Sequence, residues 1–245
     1  MRQNFQSHVS ALATVAPMNS KPHESGNPFS DPGAATQYRE GPPRMVPGFA
    51  DLHRMTGILL NERTPDDGQV LVLGAGGGLE LEYLAGVHPG WRFVGVDPSA
   101  GMLTVAREST ESFADRIQLL EGYIEDAPDG PFDSAVCLLT LHFLPEAERL
   151  EALRQLRRRL EPGGPLVVAQ HSFPSNPPER DLWLSRFAAF AGMPAEGVER
   201  MSREIGGRLP VLSPEQDESL MKQAGFSEVT LFYAALNFRG WVAYA

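Results

Sequence analysis

Nine residues constrain this chain more than any others: Val70-Leu71-Val72-Leu73, followed at once by Gly74-Ala75-Gly76-Gly77-Gly78. Four apolar residues in succession read as a strand buried on both faces. The glycines at 74, 76 and 78 alternate with their neighbours, and Glu80-Leu81-Glu82-Tyr83-Leu84-Ala85 then reads as the start of a helix. Strand, glycine turn and helix form a phosphate- or nucleotide-binding corner, because a residue without Cβ lets the backbone bend sharply and approach a ligand. The spacing is G-x-G-x-G, not the dinucleotide fingerprint G-x-G-x-x-G. A plain tight connection between strand and helix uses the same residues, so the surrounding pattern has to decide.

That pattern is an alternation of strands and helices. Residues 91–96 read as a second strand ending in Asp97, 23 residues after Gly74. An acidic residue at this place in a βαβ unit accepts hydrogen bonds from ribose hydroxyls. Asp97-Pro98-Ser99 also precedes a helix at 100–108, with Ser99 as its cap. Strands follow at 117–120, 135–141 and 166–170, and an amphipathic helix at 145–160 stops at Pro162-Gly163-Gly164. Its Arg154, Arg157, Arg158 and Arg159 read as a solvated face. Residues 174–209 interrupt the alternation as a helical insert, with Trp183, Leu184, Phe187 and Phe190 on its apolar face. A helix at 213–224 and two closely joined strands, 228–235 and 237–245, complete the order. The expected fold is therefore α/β: a Rossmann-like, doubly wound, seven-stranded, mostly parallel sheet with an antiparallel C-terminal strand. Its ligand belongs over the carboxyl ends of the first, second and fourth strands.

Ahead of the sheet, a helix at 49–61 places Leu52, Met55, Ile58 and Leu59 at core spacing. Residues 1–43, rich in Ser, Pro, Gly, Asn and Gln, read as a flexible segment or a lid over an acceptor, with Tyr38 and Arg39 as contacts. Residues 44–245 form the domain proper. The formal charge of −10 argues against a nucleic-acid binder working by counterion release. It favours a small-molecule acceptor with no direct nucleic acid. The one cysteine, Cys137, suits a reducing cytoplasm and reads as inert core. No apolar run is long enough to span a membrane, and homodimerisation is left open. No His, Cys, Asp and Glu set has metal-ligand spacing. His171, at the end of the fifth strand, is the best general-base or acceptor-contact candidate, followed by His142 after the fourth.

The chain resembles the class I S-adenosylmethionine (SAM)-dependent methyltransferases. The resemblance rests on Leu73-Gly74-Ala75-Gly76-Gly77-Gly78, Gly95-Val96-Asp97-Pro98-Ser99, Phe132-Asp133, Leu141-His142-Phe143-Leu144, Leu160-Glu161-Pro162-Gly163-Gly164 and Ala224-Gly225-Phe226, in the family's order. Within that class it is similar to the carboxy-SAM synthase group, through Met45-Val46-Pro47-Gly48-Phe49 and Leu139-Thr140-Leu141-His142-Phe143-Leu144. The resemblance implies SAM as cofactor. Its methionine end would lie at Gly74, Ala75 and Gly76 and its ribose on Asp97. Adenine would sit between Pro98 or Met102 and Tyr123-Ile124, with Leu138 facing the sulfonium and Phe49 closing over the top. Tyr38, Arg203 and His142 would meet the substrate, Arg200 being the rival of Arg203. The chain departs from the family pattern at Val72, where an acidic residue is usual, and at Tyr123, where an Asp commonly meets the adenine amino group. Three functions follow: methyl transfer to an undetermined acceptor, carboxy-SAM synthesis from SAM and prephenate, or SAM binding without catalysis.

Overall fold

A computed structural model describes residues 40–193 and 209–245 of the chain. Its centre is the strand expected from the apolar run. β1 (Gln69–Leu73) pairs in parallel with β2 (Arg92–Asp97) on one side and with β4 (Ser134–Leu138) on the other. β3 (Ile117–Glu121) lies outside β2, and β5 (Pro165–His171) lies beyond β4. The chain thus works outward from β1 to β3, then returns to the middle, which places the topological switch between β1 and β4. The full order is β3-β2-β1-β4-β5-β7-β6.

The expected antiparallel strand is β7 (Phe238–Tyr244), which inserts between β5 and the edge strand β6 (Ser227–Ala235) and runs antiparallel to both. The short join through Leu236 and Asn237 leaves no room for a crossover helix, so β7 has to reverse.

Among the described residues, seven α-helices clothe the sheet. α1 (Gly41–Met45) and α2 (Phe49–Asn61) precede β1; α3 (Leu79–Val87) and α4 (Ala100–Ser109) follow β1 and β2. α5 (Glu146–Arg158), α6 (Glu179–Phe190) and α7 (Pro214–Gln223) come later. Apolar residues of α2, α3 and α6 build one core layer around Val70, Val72 and Val167; those of α5 and α7 build the other around Leu71, Cys137 and Val168. Ser99 caps α4 by accepting from the Met102 N–H, and Ser213 caps α7 within a box completed by Gln216.

Three expectations are corrected. Ile58 is 57% exposed, because Leu52, Thr56 and Leu60 define the buried side of α2 instead. Phe190, at the end of α6, is 47% exposed, while Leu184 and Phe187 are buried. Arg159 is not on a solvated face: it is buried just past α5, where it donates to the carbonyls of Ala127, Pro128 and Gln155.

Candidate functional site

The carboxyl ends of the strands carry the candidate site. The turn after β1 visits positive φ at Gly74, Gly76 and Gly78, a region that disfavours a side chain. Gly74 is also sterically committed, since a Cβ there would run into Thr140 in the loop after β4. The N–H groups of Gly74 and Ala75 both bond the Val96 carbonyl, tying the turn to β2. Ala75 itself is fully buried, its methyl pointing toward Gly95, so this position serves the packing beneath the turn.

Asp97 closes the corner. One carboxylate oxygen accepts from the Gly76 N–H at 2.9 Å and the other from the Ser99 N–H at 2.9 Å. Burial raises its pKa, and these two bonds oppose that rise. Asp97 thus ties the glycine turn to the start of α4, and each oxygen keeps a second lone-pair direction. Pro98 is half-buried and Met102 buried on one side. Across from them, Tyr123 opens a single helical turn, Ile124–Asp126, whose Asp126 carboxylate accepts from the Tyr123 N–H. Ile124 is buried and Tyr123 half-exposed.

Sequence reasoning passed over one group. Glu80, on the first turn of α3, is buried, and its Oε1 meets no hydrogen-bond partner. Burial, with Asp97 nearby, pushes its carboxyl up to about 8. Its charge also acts on Cys137 in β4. A polar residue in a helix start normally signals exposure, and nothing local shows that this side faces the strands.

Toward β5 the site changes character. Leu138, the last residue of β4, is buried. Leu139 after it takes φ 56°, and the turn Leu141–Phe143 brings His142 toward β5. The His142 ring lies 4.9 Å from that of His171, and its Nδ1 accepts from the His171 N–H at 3.4 Å. Both histidines are buried, which disfavours their charged forms. Burial lowers the His171 pKa to about 3, and burial, His171 and Arg149 hold His142 well below its ordinary value. His171 stacks on Phe238 at 4.2 Å and meets the edge of Phe187 at 5.5 Å, while its Nδ1 has no partner. Asn237 beside it is completely buried, with neither amide atom partnered.

Phe49 starts α2 and packs on His53 at 4.4 Å, and the preceding turn is fastened to the far edge of the sheet by Tyr233, whose hydroxyl donates to the Pro47 carbonyl at 2.5 Å. Tyr38, Arg39, Arg200 and Arg203 lie outside the described residues. Among the described residues, no cluster of His, Cys, Asp and Glu is placed to hold a metal ion.

Residues 70–164, the span that carries the turn, Asp97 and His142, match the family model described as a methyltransferase domain. The chain has the class I SAM-dependent methyltransferase fold. Within that class it is similar to a carboxy-S-adenosyl-L-methionine synthase from Chromohalobacter salexigens, at 29% identity over 208 residues, 82% of this chain and 77% of that protein. Two solved structures share the fold at low identity. An O-methyltransferase family protein from Burkholderia thailandensis superposes with a TM-score of 0.68 at 16% identity, covering 99% of this chain and 68% of that one. Human N-acetylserotonin methyltransferase in complex with SAM gives 0.60 at 14%, covering 99% and 66%.

Proposed function

We propose that the protein transfers the methyl group of SAM to a small-molecule acceptor bound against His142 and His171. The observation that carries this reading is the bare Nδ1 of His171 among Phe173, Phe187 and Phe238, at the same strand edge as the glycine turn. The residues of the turn fit the cofactor: a Cβ-free backbone at Gly74 and Gly76, a pre-set carboxylate at Asp97, and an unpaired buried carboxyl at Glu80. Gly74, Ala75 and Gly76 would hold the methionine end and Asp97 the ribose. Pro98, Met102, Tyr123 and Ile124 would hold the adenine. Leu138 would face the sulfonium, and Phe49 would cover it. When bound, SAM supplies an already activated methyl group, so most of the protein's work is positioning.

A neutral imidazole in an apolar wall accepts a hydrogen bond from an acceptor hydroxyl or amine without first losing its own proton. His171 is a weak base at this pKa. Its role in this reading is to aim the acceptor's lone pair, with His142 holding the β5 end in place from behind.

The curated relatives named carboxy-SAM synthase support a second reading, in which the chain makes carboxy-SAM. Mass spectrometry of ligand released from the purified protein, with calorimetric titration of SAM, separates the two. SAM or S-adenosylhomocysteine (SAH) agrees with methyl transfer; a carboxylated SAM mass moves the second reading to first. Absence of both binding and co-purified ligand sinks each of them.

A further inference from the structure

An arginine held in one place needs a reason, because its long side chain loses freedom there. Arg239 sits opposite Gln170 in the β5–β7 ladder, one step along from the His171–Phe238 pair, and is half-buried. Its Nη1 donates to the carbonyls of Leu236 at 2.6 Å and Phe238 at 2.8 Å. Those bonds hold one end of the planar guanidinium. The other edge, Nε and Nη2, makes no hydrogen bond among the described residues. On that edge two parallel N–H groups match the two oxygens of a carboxylate. Glu215 is the acid that bears on Arg239, but its carboxylate accepts from the Ser213 hydroxyl at 2.7 Å. The Arg239 guanidinium carbon lies 5.4 Å from the Trp183 ring of α6, and that of Arg186 lies 4.6 Å from the same ring. Neither arginine belongs to an ion pair among the described residues. Trp183 is one helical turn before Phe187, whose ring meets His171. Two guanidiniums without carboxylate partners thus approach one indole beside the rings of His171, Phe187 and Phe238. A chain of net charge −10 repels anions at long range, so a bound anion has to be held by a local device of this kind.

We propose that the acceptor is a hydroxy-substituted aromatic acid and that Arg239 holds its carboxylate, with Trp183 and Arg186 completing that end of the site. This rests on the acceptor placement against His171 given above. The acid's ring lies among Phe187, Phe238 and His171, and its carboxylate meets the Nε–Nη2 edge of Arg239, one residue along β7. The carboxylate is an anchor and does not react. Fixing the carboxylate and the ring fixes the direction of the hydroxyl, which is the geometric work methyl transfer asks of a protein. In the reaction the hydroxyl oxygen bonds the methyl carbon, the electron pair of the broken sulfur–carbon bond returns to sulfur to give SAH, and the hydroxyl proton passes to water. A neutral carboxamide in place of the carboxylate forfeits the charge-assisted pair and leaves the Arg239 edge to solvent.

The test titrates the full chain, with SAH present, against para-hydroxybenzoate and para-hydroxybenzamide, which share ring and hydroxyl and differ in charge. Binding is read by calorimetry and by the NMR signal of the His171 ring. In the natural protein the acid should bind at least about tenfold more tightly than the amide, and both should move the His171 signal. In Arg239→Gln the preference should fall to within about twofold while the amide keeps its affinity. Equal affinities in the natural protein overturn the proposal whether or not the variant folds, as does a preference for the acid that persists in folded Arg239→Gln. Equal affinities with a moving His171 signal remove Arg239 alone and leave the acceptor placement standing. Binding of the acid that depends on Arg239 but leaves His171 unmoved removes the placement, and the proposal with it. Binding of neither probe at millimolar concentration overturns the proposal as well.

Discussion

Around the glycine turn, the backbone N–H groups are answered: Asp97 takes those of Gly76 and Ser99, Asp126 takes that of Tyr123, and Val96 takes two more, with Glu80 Oε1 the exception among the side chains. Around the end of β5 several side-chain atoms are not: His171 Nδ1, Gln170 Oε1 and both amide atoms of Asn237 are buried without partners. The first region is an organised backbone surface, the one the proposed reading gives to SAM. The second is a cluster of aromatic rings with bare polar atoms, which the proposed reading gives to the acceptor. The difference teaches where specificity is stored. In the proposed reading, cofactor recognition would use backbone geometry and acceptor recognition would use side chains.

The comparison can be broken by experiment. The largest expected effect is on the β5 side, where Arg149 donates to Asp217 at 2.6 Å with both side chains 1% exposed. Asp217→Ala leaves a buried guanidinium unpaired and should cost about 3–5 kcal/mol in denaturant unfolding. Next is Gly74→Ala, which places a Cβ against Thr140 at a positive φ. It should cost about 2–3 kcal/mol and weaken SAM at least about tenfold. If SAM affinity is untouched in the folded variant, the turn is not the cofactor surface.

A pH titration of stability reads the two regions together. His53, His142 and His171 have pKa values lowered by burial, to about 4 for His53 and about 3 for His171. Stability from these groups is present above their ordinary 6.5 and is lost as pH falls toward about 3. Glu80 acts in the opposite direction. Its folded pKa is raised, so its contribution is present below the ordinary 4.5 and is lost as pH rises through about 8. Glu80→Gln should flatten the alkaline limb alone; flattening of the acid limb instead would reverse the assignment. The smallest effect is that of Tyr233→Phe, which loses the bond to Pro47. It should cost about 1 kcal/mol and leave SAM affinity within about threefold, unless the turn before Phe49 forms part of the cofactor's cover.

The strand, the glycine turn and the place of Asp97 at the end of β2 were legible in the sequence for a physical reason: an apolar run, alternating glycines and an acid at a strand end are local signals. Asp97 could be placed from spacing alone, and so could the reversed strand after the short join. The β5 half was only partly legible. His171 and His142 could be placed at strand ends, but their mutual contact depends on the pairing of β4 with β5, which spacing does not give. Glu80 and Arg159 escaped because charge on a helix reads as exposure, and only tertiary packing turns them inward. Ile58 and Phe190 failed the other way, since helical spacing marks a stripe without saying where its edge falls.

The space left by the missing Cβ of Gly74 is taken by Thr140. Thr140 is two residues before His142 and immediately precedes the turn Leu141–Phe143. The two halves of the site are therefore in mechanical contact through one glycine and one threonine. In a close-packed interior a displacement has to be passed on. Any shift of the turn by a few tenths of an ångström therefore presses on the loop that carries His142, and any shift of that loop presses back on the turn.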